Sequence, residues 1–257
     1  MTRTLLIENG RLTDMRRPSR PLNGKSATMP PWQHPQIMSG HTLYPGTVRS
    51  AKDGNRWALK SGINNRKIGG EVLTGKWATL PVYTLTLEER ATCPETCRHW
   101  RSCYGNHMDL ADRLQAGPDL ESRLAAEVEF LDIKHFNGFV VRLHVLGDFY
   151  SVEYVELWRR LLREYSTLRI WGYTARIDKN DPIAAALVCV ANEFGWDRLA
   201  IRLSNAPTES RSSIVVEHPK LAPRDSTVCR QEVDRKANCG ACALCWESEK
   251  RIAFIQH

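Results

Sequence analysis

The sequence predicts an α/β fold: a partial, incomplete parallel β/α barrel, preceded by an irregular basic extension and followed by a cysteine-rich tail. Three observations carry this. Strand-like runs begin near residues 139, 168 and 199, and a helix-forming stretch separates each from the next. An interval of about thirty residues is that of parallel crossover units. Five strand-like runs in all are too few to close an eight-stranded barrel. An open doubly wound sheet is the second arrangement that this pattern allows.

Residues 80–87 (LPVYTLTL) have the β-branched and aromatic content of a strand. Leu120, Leu124, Val128 and Leu131 then fall on one helical face, with Asp119 after Pro118 offering a cap. Residues 139–146 (FVVRLHVL) read as the next strand. Ser151 caps a helix striped by Val155, Trp158, Leu161 and Leu162. Residues 168–173 form a strand, and Asp181-Pro182 opens a helix that runs to about Phe194 and stops at Gly195. Residues 199–203 and 213–217 complete the strands. The chain divides into an extension, 1–79, a barrel, 80–220, carrying a loop at 93–103, and a tail, 221–257. The first forty residues show no apolar period and read as extended or poorly ordered.

The chain has 257 residues, 42% hydrophobic and 25% charged, enough to bury a core without metal or disulfides. The N-terminal run MTRTLLIENGRL has an apolar stretch of only three residues, and residues 183–191 are too short to span a bilayer. The expectation is a cytoplasmic protein with no membrane partner, whose eight cysteines are ligands or thiols. Charge is uneven: residues 1–80 carry 13 Lys/Arg against 4 Asp/Glu, and the rest 23 against 25. A basic extension suits a nucleic-acid partner, and a solvated basic tail fits it equally.

Cys93, Cys97 and Cys103 are spaced CX3CX5C on one loop at a strand's carboxyl end. Soft thiolates this close favour an iron–sulfur cluster or zinc. Three ligands would leave one iron of a [4Fe–4S] cluster open to a small ligand, whereas His99 or His107 would close a zinc site. Cys229, Cys239, Cys242 and Cys245, spaced CX9CX2CX2C, fit a second [4Fe–4S] cluster or a closed zinc site. Cys189, alone in an apolar helix, reads as core packing. Trp100 and Tyr104 flank Cys103, where they would shield a cluster, stack a base or pack on the rim. No phosphate loop, H-E-x-x-H zinc motif or nucleophile elbow occurs.

The order of parts resembles a radical SAM enzyme. In that family a cysteine loop after the first barrel strand holds a [4Fe–4S] cluster that chelates S-adenosylmethionine, and the second strand ends in an acidic turn that contacts its amino group. Here that strand ends Leu146-Gly147-Asp148-Phe149-Tyr150-Ser151, and the loop is three residues longer than the usual CX3CX2C. The resemblance spans roughly residues 80–217. The chain is also similar to a set of phage and mobile-element proteins with a Cys-Pro…Cys…Cys-Tyr loop and a cysteine-rich tail.

The resemblance implies Asp148, Tyr173 and Arg176 as catalytic residues, with Gly147, Asp148, Arg142, His144, Ser204 and Asn205 around the cofactor. Asp148 also suits a turn before a helix. Arg142 and His144, two apart on one strand, are expected to share a face, where they would bind a carboxylate or phosphate. The implied activity is reductive cleavage of S-adenosylmethionine to a 5′-deoxyadenosyl radical acting on an anionic substrate, nucleic acid included, with an electron donor as partner. The rival expectation is a non-catalytic nucleic-acid-binding or regulatory protein held together by zinc or an inert cluster.

Overall fold

A computed structural model describes residues 5–8, 11–14, 34–53, 56–234 and 236–256. Most of the early segment expected to be poorly ordered, residues 15–33, lies outside the described residues. Near the N-terminus, β1 (Leu5–Glu8) and β2 (Arg11–Asp14) pair as antiparallel strands, which the aperiodic sequence there did not signal.

The remaining elements run in chain order. They are α1 (Pro35–Met38), β3 (Val48–Arg49), β4 (Lys60–Ser61), β5 (Val82–Thr84), β6 (Arg113–Leu114), α2 (Pro118–Lys134), β7 (Phe139–Leu143), α3 (Val152–Glu164) and β8 (Leu168–Thr174). There follow α4 (Pro182–Phe194), β9 (Leu199–Ser204), β10 (Ser212–Val216), β11 (Ser226–Val228), α5 (Arg230–Val233), α6 (Cys239–Cys242), α7 (Leu244–Glu247) and β12 (Arg251–Ile255).

The fold is mixed α/β around an eight-stranded sheet of order β11-β12-β10-β9-β8-β7-β5-β4. Its pairings are parallel except β4 with β5 at one edge. The sheet is not a closed barrel. The tail supplies β11 and β12, and β4, from before residue 80, pairs with β5, so both flanking segments belong to this sheet. β10 meets only the last two residues of β9, Leu203 and Ser204. That stagger lets residues 205–211 join parallel neighbours without the crossover helix that an aligned pair needs.

Helix ends follow local chemistry. Ser151 Oγ accepts from Tyr154 N at 3.1 Å and starts α3. Asp181 Oδ1 accepts from Ile183 N at 2.8 Å ahead of Pro182, and Gly195, at φ +65°, ends α4. The expected cap at Asp119 is corrected: Pro118 takes the first helical position, Gly117 is the cap, and Asp119 lies inside the first turn. There its charge still favours the helix dipole.

Alternation along the strands builds two cores. Phe139, Val141, Leu143, Ile170 and Leu199 face Leu124, Val128, Val155, Trp158, Leu187 and Val190 of α2, α3 and α4. Val140, Trp171 and Ala200 face the other way, onto Ile68, Val72, Trp77, Ala243 and Trp246. The three long helices therefore share one core, unlike a doubly wound sheet, which places helices on both faces. Cys189 is exposed on α4, because Leu187 and Val190 take the buried stripe; the core-packing expectation is corrected.

Candidate functional site

At the carboxyl ends of β7, β8 and β9 the sheet opens into a chamber of ≈ 390 Å³. This is within the usual range for small-molecule sites. Both cysteine groups reach it: Cys93, Cys97 and Cys103 from the loop, and Cys229, Cys239 and Cys245 from the tail. Cys242 does not line it. The sequence reading treated the two groups as separate sites; the fold places them on one chamber because the tail packs on the sheet face opposite the helices.

The loop is held from beneath by charges that periodicity could not reveal. Glu89 and Arg113 pair at 2.6 Å with both side chains fully buried, and Thr42 Oγ1 donates to Glu89 Oε1 at 2.7 Å. Arg113 also donates to the carbonyls of Gly105, Met108 and Ala111. Arg90 donates to the Trp100 carbonyl at 2.9 Å and to Asn106 Oδ1 at 2.7 Å. Turns then step along the loop, Cys97 N to Pro94 O and Trp100 N to Cys97 O. Trp100 packs on Ile37, Leu43 and Tyr44, away from the chamber, while Tyr104 lines it with Lys67 Nζ 5.1 Å from its ring centroid.

Gly147 and Asp148 join the loop to the sheet. Gly147 sits at φ +86°, and a Cβ there would come within 2.6 Å of Leu87 Cβ and Thr92 Oγ1. The close approach lets Asp148 N donate to Thr92 Oγ1, the residue before Cys93, at 3.2 Å. The Asp148 carboxylate accepts from Phe149 N at 2.8 Å, Thr174 Oγ1 at 2.8 Å and Ala175 N at 2.7 Å. Burial outweighs these bonds and raises its pKa from 3.8 to about 6.

The alternation expected to set Arg142 beside His144 ends with β7 at Leu143. Arg142 lies 4.9 Å from the Tyr173 ring centroid and 5.6 Å from that of Trp171. His144 instead packs edge-on to Phe149 and shares a 3.0 Å hydrogen bond with Tyr154 Oη through Nε2. Its Nδ1 is buried without a partner. Burial, aided by Arg142, lowers the His144 pKa to about 3, so the ring is neutral at neutral pH.

Tyr173 donates to Cys245 Sγ at 3.0 Å. Asn205 Nδ2 and His99 Nε2 are 2.9 Å apart, which ties the loop to the end of β9, and His99 Nδ1 is 3.2 Å from Ser102 Oγ. Ser204 lines the chamber beside Asn205. Arg176 does not line it: its guanidinium binds Asp181 at 2.8 Å and the carbonyls of Phe149 and Thr92. Lys67 and Glu232, paired at 2.8 Å in the chamber wall, were missed by the sequence reading, since nothing in their spacing marks them.

Burial pushes the Cys103 thiol up to about 12 and the Cys229 thiol up to about 11, and raises Cys93, Cys97, Cys239 and Cys245 as well. Such thiols keep their protons at neutral pH unless a bound cation replaces them. Among the described residues no three His, Cys, Asp or Glu side chains converge on a single ion.

A family model described as gene product 88 matches residues 50–248. The chain belongs to the gene product 88 family. The match takes in the loop cysteines, the chamber strands and all four tail cysteines, and agrees with the phage-type resemblance of the cysteine pattern. The first 49 residues lie outside it. None of the curated proteins and none of the solved structures matches the chain.

Proposed function

We propose that this gene product 88 family member is an iron–sulfur enzyme of the radical SAM type, with the sheet forming the wall of an incomplete barrel. The carrying observation is that Cys93, Cys97 and Cys103 share a chamber with Asp148, Tyr173, Ser204 and Asn205, all at the carboxyl ends of parallel strands. The long helices on one face of the sheet, with the chamber opening on the other, support the partial-barrel reading.

The donor set fits the group. Three soft thiols on one loop are a donor set that such a cluster accepts, and they leave a fourth position open. When bound and reduced, such a cluster would supply the electron that cleaves S-adenosylmethionine, drawn from an external one-electron donor. The chain's own residues do the rest. Arg90 and Arg113 fix the loop carbonyls. Asp148 would help hold the amino group of the cofactor, and Ser204 offers a polar group at the end of β9. Phe254 and Tyr104 help exclude water.

The test uses protein reconstituted with iron and sulfide without oxygen, then given strong reductant and S-adenosylmethionine. Methionine and 5′-deoxyadenosine are expected from the wild type and not from Cys93→Ala. Iron-loaded protein that never cleaves the cofactor would contradict the proposal.

A further inference from the structure

A surface helix needs one apolar stripe, and α2 carries two. Leu120, Leu124, Val128 and Leu131 are buried in the helix-side core. Ser122, Ala126, Phe130 and Ile133 repeat the same spacing two residues further on. Two residues turn the helix by about 200°, so the second stripe lies on the opposite face. All four of its residues are exposed, Phe130 by 48% and Ile133 by 76%. Trp57 and Phe136, also exposed, extend the patch at its bulky end.

Trp57 is fixed in place before any partner arrives. Its ring centroid lies 5.0 Å from that of Phe130. The amides of the next two residues, Ala58 and Leu59, donate to the buried Glu127 carboxylate at 2.8 and 2.7 Å. An aromatic side chain held this way loses little freedom when covered, which suits an interface anchor. No residue of α2 lines the chamber, so a partner on this face leaves the chamber accessible.

The stripe is graded along its length. Its amino-terminal half is small, Ser122 and Ala126, with Asp119 in the first turn. Its carboxyl-terminal half is bulky, Phe130 and Ile133, with Lys134 in the last turn. Lys134 makes no ion pair among the described residues, and Asp119 makes an exposed one with Lys52 at 3.5 Å. A copy of this stripe running the other way is therefore its complement. Antiparallel pairing about the middle of the helix sets Phe130 over Ala126, Ile133 over Ser122 and Lys134 against Asp119. The helix dipoles also oppose one another in that arrangement. Glu129 stands at the exposed edge of the stripe, where solvent screens it from its copy.

We propose that the chain pairs with a second copy of itself through this face, the two α2 helices packing antiparallel about a twofold axis. One patch meets itself, as a twofold interface requires. The apolar side chains supply the affinity, and the Asp119–Lys134 pairs fix the direction. The inference does not depend on the iron–sulfur reading of the chamber.

The experiment is sedimentation equilibrium on the full-length protein over a concentration series, with a thermal melt of every variant by circular dichroism. The wild type is expected to be a dimer that dissociates on dilution. Ile133→Glu and Phe136→Ser change exposed side chains, and each is expected to raise the dissociation constant at least about tenfold. Two such variants keep the test open where one of them melts early. Lys134→Glu and Asp119→Lys are each expected to weaken the dimer, and the two together to restore it. A wild type that stays monomeric throughout would overturn the inference, including one that binds lipid vesicles instead. So would a dimer that both apolar substitutions leave intact, or a double charge exchange no tighter than the single ones.

Discussion

Asp148 shows how one carboxylate can serve both the fold and the chamber. Its oxygens accept from Thr174 Oγ1, Ala175 N and Phe149 N, so it joins the turn after β7 to the end of β8. Its pKa is raised from 3.8 to about 6, chiefly by burial. A carboxyl whose folded pKa lies above its unfolded one stabilises most below pH 4, and the contribution is lost as pH rises through 6. The window corresponds to about 3 kcal/mol. The unfolding free energy of the wild type minus that of Asp148→Asn should therefore fall by about this amount between about pH 3 and pH 7, roughly two thirds of it between pH 4 and 6. Parallel curves from denaturant titrations would contradict the burial argument. Arg176 teaches the reverse lesson. A position at a strand end suggested chemistry, yet its guanidinium is taken up by Asp181 and two carbonyls. Sequence gives the position of a polar residue and not its partners.

Among the elements, those with strong local chemistry were legible. Ser151, Asp181-Pro182 and Gly195 mark helix ends through hydrogen bonds and backbone preferences that act within a few residues. Ser151→Ala should lower stability by about 1 kcal/mol, read as a shift in the denaturant midpoint with an unchanged slope. What escaped the reading depends on distant partners. β11 and β12 carry little pattern of their own and gain their place by pairing beyond β10. α6 fits closely because Gly240 leaves no side chain against the Glu71 carbonyl, which a Cβ would approach to 2.0 Å. The loop's foundation was equally hidden, since Glu89 and Arg113 are 24 residues apart and meet only in the fold. Glu89→Gln leaves Arg113 buried without its partner and should cost about 3–5 kcal/mol. It should also loosen iron from the loop before the tail, a difference that iron retention in the matching cysteine variants would detect.

Across the whole molecule, the charge split that suggested a nucleic-acid partner is partly an internal matter. Arg49, Arg56 and Lys60 all pair with Asp112, Lys52 pairs with Asp119, Lys67 with Glu232 and Lys76 with Asp197. The basic segment thus meets acids supplied later in the chain, a pairing invisible to a count along the sequence. Among the described residues no helix is long and apolar enough to cross a membrane. Both cysteine groups were legible as candidate metal ligands from spacing alone. Their sharing of one chamber was not, because it depends on the tail folding back over the sheet.

The central claim is an iron–sulfur cluster on the loop, and metal analysis tests it most directly. Iron, sulfide and zinc would be measured, with an absorption spectrum, on protein purified without oxygen and on the variant Cys93→Ala/Cys97→Ala/Cys103→Ala. The triple variant is expected to hold about four fewer irons than the wild type, with a matching loss of sulfide. Zinc in both sites with no visible chromophore, or an iron content unchanged by the triple substitution, would contradict it.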